Sequence, residues 1–339
     1  MRFKAISRKT VNVSQAELVE TELIQPGQPL PLVVKPAVEG VNLINWTANN
    51  RTFIETKLLR HGGILFRGFN VQSASGFEAL IRALSDKLTE YSYRSTPRSQ
   101  VSGNIYTSTE YPANQVIPLH NENAYSLNWP MKIWFFCVEA AQQGGETPIA
   151  DSREIFRRIN PDVRERFSRK RIMYVRNYRK GLDLHWKDVF QTNQKSEVEA
   201  YCRQAGIEFE WRDRDHLRTH QICQAVADHP KTGEPVWFNQ AHLFHVSSLE
   251  TEVSELLLSA LKESDLPRNA YYGDGSKIES SILEEIREIY RQEAIMFAWQ
   301  KGDILLLDNM LAAHGRMPFS GSRKVVVGMA EPCRQTVQE

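Results

Sequence analysis

At 339 residues, 41% of them hydrophobic and 24% charged, the chain is long enough to bury a large core and too apolar to be disordered. Its 42 Lys and Arg against 41 Asp and Glu leave a net charge of +1, so no overall field favours nucleic acid or an anionic membrane. Any anionic ligand must therefore be met by a local site. Cys137, Cys202, Cys223 and Cys333 lie far apart, without the paired spacing of a zinc site or a redox dithiol, as expected in a reducing compartment. The start, MRFKAISRKTVNVSQ, is basic but has no apolar run suited to a signal peptide. No later stretch offers the roughly 20 apolar residues that cross a bilayer, so a cytoplasmic location is expected.

In chain order, an irregular, Pro-containing start precedes RTFIETKLLRHGGILFRGF. There Phe53, Leu58 and Leu59 suit a helix face, Gly62 and Gly63 end the helix, and Ile64 to Phe69 reads as a buried strand. Ser73 to Leu88 is a second amphipathic helix. The β-rich MKIWFFCVEA follows, then GGETPIAD as a turn and short strand, with Asp151 capping a helix through Ile159. Further strands are expected at Ile172–Tyr178, Ile207–Trp211 and Pro235–Asn239. Charged amphipathic helices are expected near Glu250–Lys262 and Lys277–Gln292, before the C-terminal strand series IMFAW, DILLLDN, AAHGR and KVVVGMAE. No repeat or linker interrupts this, so one domain over residues 1–339 is expected, with a helical insertion at about 245–293. Short strands in both halves point to a mainly β, double-sheet core with inserted helices rather than alternating βαβ units.

The strongest local signal is Leu119-His120-Asn121-Glu122-Asn123. In an extended segment residues i and i+2 point the same way, so His120 and Glu122 offer an imidazole and a carboxylate to one metal ion. A second imidazole is available at His314, just past the apolar strand in LLLDNMLAAHGR. Two His and one carboxylate on one face leave the remaining metal positions open, as iron(II) oxygenases require for a cosubstrate and O₂. Behind His314 stand Arg316 and Arg323. A dicarboxylate that chelates iron at one end needs a cationic fork at the other, and Arg supplies two parallel N–H donors. Arg323 is the candidate fork and Arg316 the next. Asp308 and Asn309 are candidate supports for the distal ligand. His216 with His220, and His242 with His245, lack a carboxylate or thiolate at matching spacing and read as non-ligating.

These segments carry a resemblance. ILFRGF at Ile64–Phe69, GNIYTSTEYP at Gly103–Pro112, LHNENAYS at Leu119–Ser126, GGETPIADS at Gly144–Ser152, YYGDGS at Tyr271–Ser276 and GDILLLDNMLAAHGRMPFSGSR at Gly302–Arg323 occur in family order from about residue 60 to 330. Together they resemble the TauD/TfdA superfamily of iron(II)- and 2-oxoglutarate-dependent dioxygenases, in the branch similar to the syringomycin-pathway aspartyl hydroxylase and, more distantly, clavaminate synthase. The resemblance implies a distorted double-stranded β-helix, or jelly-roll, core of the clavaminate synthase type, with Fe(II) on His120, Glu122 and His314. It implies that 2-oxoglutarate and O₂ are cosubstrates, and that Thr147 helps Arg323 hold the distal carboxylate. Many members carry Asp where this chain has Glu122. Related halogenases carry a small residue there, so a carboxylate argues against halogenation.

The branch resembled hydroxylates amino acids, free or carried on a peptidyl carrier protein, in natural-product assembly. Substrate contacts are expected from residues around the triad: Arg98, Asn104, Asn123, Tyr125 and His242. Alternatives within the same chemistry are a desaturase, an epoxidase, a cyclase or a catabolic dioxygenase, and outside it a metal-free jelly-roll binding protein. The segment 269–277, with two Tyr and two Gly, is a candidate lid over the active site.

Overall fold

The apolar run Asn128–Glu139 is the axis of the molecule. Both faces of this strand are buried, and its side chains alternate between two cores: Trp134 and Phe136 enter one, Ile133, Phe135 and Cys137 the other. The structure, a computed structural model, describes residues 15–85, 87–89, 98–109, 111–179, 181, 184–213 and 215–335. The basic opening through residue 14 and Glu110 of the GNIYTSTEYP motif lie outside the described residues.

Asn128–Glu139 pairs antiparallel with Lys324–Arg334 on one side and Ile304–Asp308 on the other. They form the centre of an eight-stranded sheet ordered Val19–Gln25, Gln28–Pro36, Gly63–Phe66, Ile304–Asp308, Asn128–Glu139, Lys324–Arg334, Ile105–Thr107, Gln100–Ser102. Helices Leu43–Asn49, Arg51–His61 and Ala74–Leu84 cover one face, burying Trp46, Leu58, Phe77 and Ile81 among Trp134, Phe136, Leu306 and Val326. The other face packs Phe135, Leu305, Leu307 and Val325 against Ile149 and Ala312. Those two belong to a three-stranded sheet ordered Ile117–His120, Ala312–Arg316, Ile149–Asp151. Beyond it a four-stranded sheet, ordered Glu208–Trp211, Leu217–Cys223, Ile172–Tyr178, Arg268–Tyr272, carries its own aromatic core. The chain is thus mainly β with helices added, and among the described residues no helix is long and apolar enough to cross a membrane.

Local signals act as expected at several joints. Gly62 adopts φ 74° and ends Arg51–His61, and the Asp151 carboxylate accepts the Arg153 N–H to start Ser152–Arg158. Three expectations need correction. The Pro-containing start is the hairpin Val19–Gln25 with Gln28–Pro36, whose prolines Pro29, Pro31 and Pro36 lie outside the Leu32–Val34 stretch that pairs with Gly63–Phe66. The expected strand IMFAW is irregular: Ile295 makes an isolated bridge to Ile149, while Phe297 and Trp299 bury into the inner core.

The third concerns residues 245–293, which are not helical throughout. Between the helices Thr251–Ala260 and Ser280–Glu293 runs the strand Arg268–Tyr272, so the candidate lid 269–277 begins inside a sheet. Tyr272 pairs with Ile172 and is 2% exposed, its ring 5.1 Å from that of Phe167. The hairpin turn that follows is tied by a Lys170–Asp274 ion pair of 2.8 Å. Ala270 and Tyr272 face the core, while Asp274, Gly275, Ser276 and Lys277 are exposed.

Candidate metal centre

Antiparallel pairing of Ile117–His120 with Ala312–Arg316 sets His314 directly opposite His120, so both rings emerge on the same side of the sheet with centroids 4.6 Å apart. The strand ends at His120, and Glu122 lies in the turn beyond it, closed by Asn123 at φ 58°. Convergence therefore does not come from an extended i, i+2 pair. It comes from Asn309, fully buried, whose Oδ1 accepts the Glu122 N–H at 2.7 Å while its Nδ2 donates to the carbonyls of Glu122 and Pro130, both at 2.9 Å. Asn309 was expected to serve the distal histidine, but it clamps the carboxylate ligand instead. Asp308 caps the turn that carries Asn309, accepting from the N–H groups of Met310 and Leu311 and from His229 Nε2 at 3.0 Å.

One ligand atom from each of His120, Glu122 and His314 lies within 4.8 Å of the others, and no other such group of three occurs among the described residues. His314 Nε2 stands 3.9 Å from Glu122 Oε2. Adjacent ligands on metal bonds of ~2.1 Å sit roughly 3 Å apart, so a small contraction completes the site. His120 donates from Nδ1 to the Pro118 carbonyl at 2.8 Å, leaving the Nε2 lone pair to the metal. Burial holds the pKa of both imidazoles below the usual value, His314 well below it, which keeps them neutral as ligation demands. His314 Nδ1 is buried without a hydrogen-bond partner among the described residues. The residues thus fit a divalent metal in donor type, protonation and spacing.

A small cavity of about 30 Å³ adjoins this centre, lined by His120, His314, Arg98, Thr147, Arg323 and the apolar side chain of Phe135, among others. Arg98 donates to Glu122 Oε2 at 2.7 Å, both side chains being buried. Arg323 donates from Nε to the Gly145 carbonyl at 3.0 Å, and among the described residues its terminal nitrogens have no acceptor. Burial, then the nearby Arg316, lowers its pKa to about 10, so it stays charged at neutral pH and short of an anion. Gly145 is required here: at φ 74° a Cβ would stand 2.9 Å from Arg323 Cδ.

Arg316 also lines the cavity, but its guanidinium donates to the carbonyls of Tyr111, Pro112 and Gln115, which makes it the anchor of the loop on the cavity rim. The structure does not bring every expected residue to the cavity. Asn104 lies in the turn between the short strands Gln100–Ser102 and Ile105–Thr107, where neighbouring Gly103 abuts Glu78. Tyr125 is a core residue against Phe244 and Tyr174, and its hydroxyl donates to Asn123 Oδ1 at 3.2 Å. His242 is buried, stacks on Tyr290 with centroids 4.6 Å apart, and bonds the Leu119 carbonyl through Nε2 at 3.0 Å. It buttresses the strand that carries His120. Asn309 as the Glu122 clamp is a role that the sequence did not reveal; its one signal was an Asn at the end of a buried strand.

Comparison with known proteins gives the family. Residues 25–330 match the family described as taurine catabolism dioxygenase TauD, TfdA. The chain is 39% identical over 317 residues to the dapdiamide synthesis protein DdaC of Enterobacter agglomerans, covering 90% of this chain and 96% of that one. It is 28% identical to a clavaminate synthase-like protein of Arabidopsis thaliana, over 93% of this chain and 98% of the relative. Among solved structures it is similar in fold to PvcB of Pseudomonas aeruginosa, with a TM-score of 0.55 at 14% identity and coverage of 96% and 94%. AAD-2, solved with Mn(II) and N-oxalylglycine, gives 0.53 at 12% identity, with coverage of 94% and 99%. The chain therefore belongs to the TauD/TfdA family and is an iron(II)- and 2-oxoglutarate-dependent dioxygenase.

Proposed function

We propose that this dioxygenase hydroxylates an unactivated C–H bond of an amino acid, free or carried as an aminoacyl thioester on a peptidyl carrier protein, in natural-product biosynthesis. The observation that carries the reading is one cavity lined by the paired imidazoles, Arg98, Thr147 and Arg323. The facing eight- and three-stranded sheets support a double-stranded β-helix core, and the 39% identity to a dapdiamide synthesis protein supports the pathway class.

In this reading His120, Glu122 and His314 hold iron, which with 2-oxoglutarate and O₂ supplies the oxidant and leaves succinate and CO₂. Arg323 grips the distal carboxylate of 2-oxoglutarate through the two nitrogens that its Gly145 contact leaves available, and Thr147 adds a hydroxyl. Phe135, 5.0 Å from the His314 ring, keeps water from the reacting face. Arg98 and Asn123 orient polar groups of the substrate. Tyr125 and His242 serve the frame around the cavity, and Asn104 lies outside it.

The test is a substrate screen with anaerobically purified protein reconstituted with Fe(II). Free amino acids and carrier-bound aminoacyl groups are run in parallel, following succinate and product mass. Succinate formed in step with a product heavier by one oxygen is the expected result. Coupled turnover of a taurine-like sulfonate or an aryloxyacetate, with none of any amino-acid substrate, would replace this reading with a catabolic one.

A further inference from the structure

Trp299 sits in the inner core 8% exposed, in a segment the sequence reading treated as an ordinary strand. Its indole Nε1–H donates to Thr147 Oγ1 at 3.0 Å, and both residues are buried. An indole N–H can only donate, so Thr147 must accept from it. A hydroxyl carries one hydrogen and two lone pairs. With a lone pair engaged by Trp299, the Thr147 hydrogen is directed elsewhere, and among the described residues no acceptor takes it. Thr147 lines the cavity that Arg323 also lines, and Arg323 is likewise left with donors and no anion.

We propose that Trp299 is a positioning residue for 2-oxoglutarate: by donating to Thr147 it fixes that hydroxyl as a donor to the distal carboxylate. The inference rests on the assignment of Thr147 and Arg323 as the carboxylate grip. Its physical content is pre-organisation. A free Thr hydroxyl turns between donor and acceptor roles, whereas one held by a donor-only partner presents its hydrogen to an anion at no cost in reorientation. Stiff χ1 geometry of the β-branched side chain restricts the hydroxyl further. The adjacent chain is arranged to the same end: Gly145, two residues before Thr147, holds Arg323 Nε through its carbonyl.

The test measures binding, not turnover. Mn(II)-loaded protein is titrated anaerobically by calorimetry with 2-oxoglutarate and with 2-oxopentanoate, which keeps the chelating end and lacks the distal carboxylate. Loss of one hydrogen bond's contribution in Trp299→Phe is expected to weaken 2-oxoglutarate binding about 3- to 10-fold and leave 2-oxopentanoate unchanged. Thr147→Val should do the same. The double variant should be no weaker than the worse single, because both remove one donor from the same carboxylate.

Equal weakening of both acids in Trp299→Phe, unchanged 2-oxoglutarate binding, or multiplicative losses in the double variant would overturn the proposal. Should Trp299→Phe fail to fold, the wild-type protein loaded with Zn(II) still decides it. The Trp299 indole N–H resonance must shift on adding 2-oxoglutarate and not 2-oxopentanoate, and an equal response to both acids would count against the role. Failure of the underlying assignment looks different: Thr147→Val and Arg323→Leu would then bind both acids as the wild type does.

Discussion

Replacing Asn309 with alanine is the most direct probe of how the metal site is built. The side chain is fully buried and makes three hydrogen bonds to backbone groups: it accepts from Glu122 N–H and donates to the carbonyls of Glu122 and Pro130. Truncation orphans all three partners. A buried unsatisfied group costs about 1–3 kcal/mol, and a water entering the vacated space recovers part of that, so the expected destabilisation is roughly 3 kcal/mol. Total stability of a domain is about 5–15 kcal/mol, so the variant should fold with a clearly lowered urea midpoint. Because the clamp fixes the turn that carries Glu122, metal affinity should also fall about 10- to 100-fold, the range found when supports of metal ligands are removed. Urea unfolding and calorimetric titration with Mn(II) read the two effects. Asn104→Ala, in a hairpin turn outside the cavity, is the control that should change neither. An Asn309→Ala protein with wild-type Mn(II) affinity would refute the reasoning.

Three further perturbations follow from the same geometry. Arg323→Leu should raise the 2-oxoglutarate requirement at least 10-fold, with Thr147→Ala milder and the KM of the primary substrate nearly unchanged, because a charge-assisted contact is lost from the cosubstrate alone. Steady-state kinetics in both substrates would show it, and parallel rises in the two KM values would move the grip elsewhere. His120→Ala and His314→Ala should each abolish Mn(II) binding by calorimetry, and chelator treatment of the wild type should abolish turnover, restored by Fe(II); retained binding in either variant would remove that residue from the ligand set. Acid should destabilise the fold through His242, whose pKa burial lowers to about 3. A folded-state pKa below the unfolded 6.5 gives stability that is full above pH 6.5 and lost as pH falls towards 3, on the order of 5 kcal/mol. Urea midpoints at pH 7.5, 5.5 and 4.5 should therefore fall less steeply in His242→Gln, and parallel profiles would exclude His242 as a cause.

The sequence by itself determined the chemistry of the site and the main elements. His120, Glu122 and His314 are legible as a candidate ligand set by donor type, and Arg323 as a candidate carboxylate fork by its planar cation. The strand Asn128–Glu139 and the helix starting at Asp151 are legible because period and caps are local properties of the backbone. Only the tertiary structure decided which neighbours each group meets. Glu122 stands beside His120 and His314 because Asn309, 187 positions away, fixes its turn, and neither residue's own segment encodes that meeting. Arg316 and Arg323 look alike in sequence. Their roles part because three loop carbonyls converge on one guanidinium and one on the other. The segment 269–277 reads as an aromatic, glycine-bearing loop, yet pairing with Ile172–Tyr178 makes its first half a strand with Tyr272 in the core. Trp299 could be read as apolar but not as a hydrogen-bond donor to Thr147, 152 positions earlier, since that depends on how an irregular segment folds under the sheet. Side-chain chemistry is carried by the residue itself, whereas convergence is a long-range consequence of packing, and no local pattern records it.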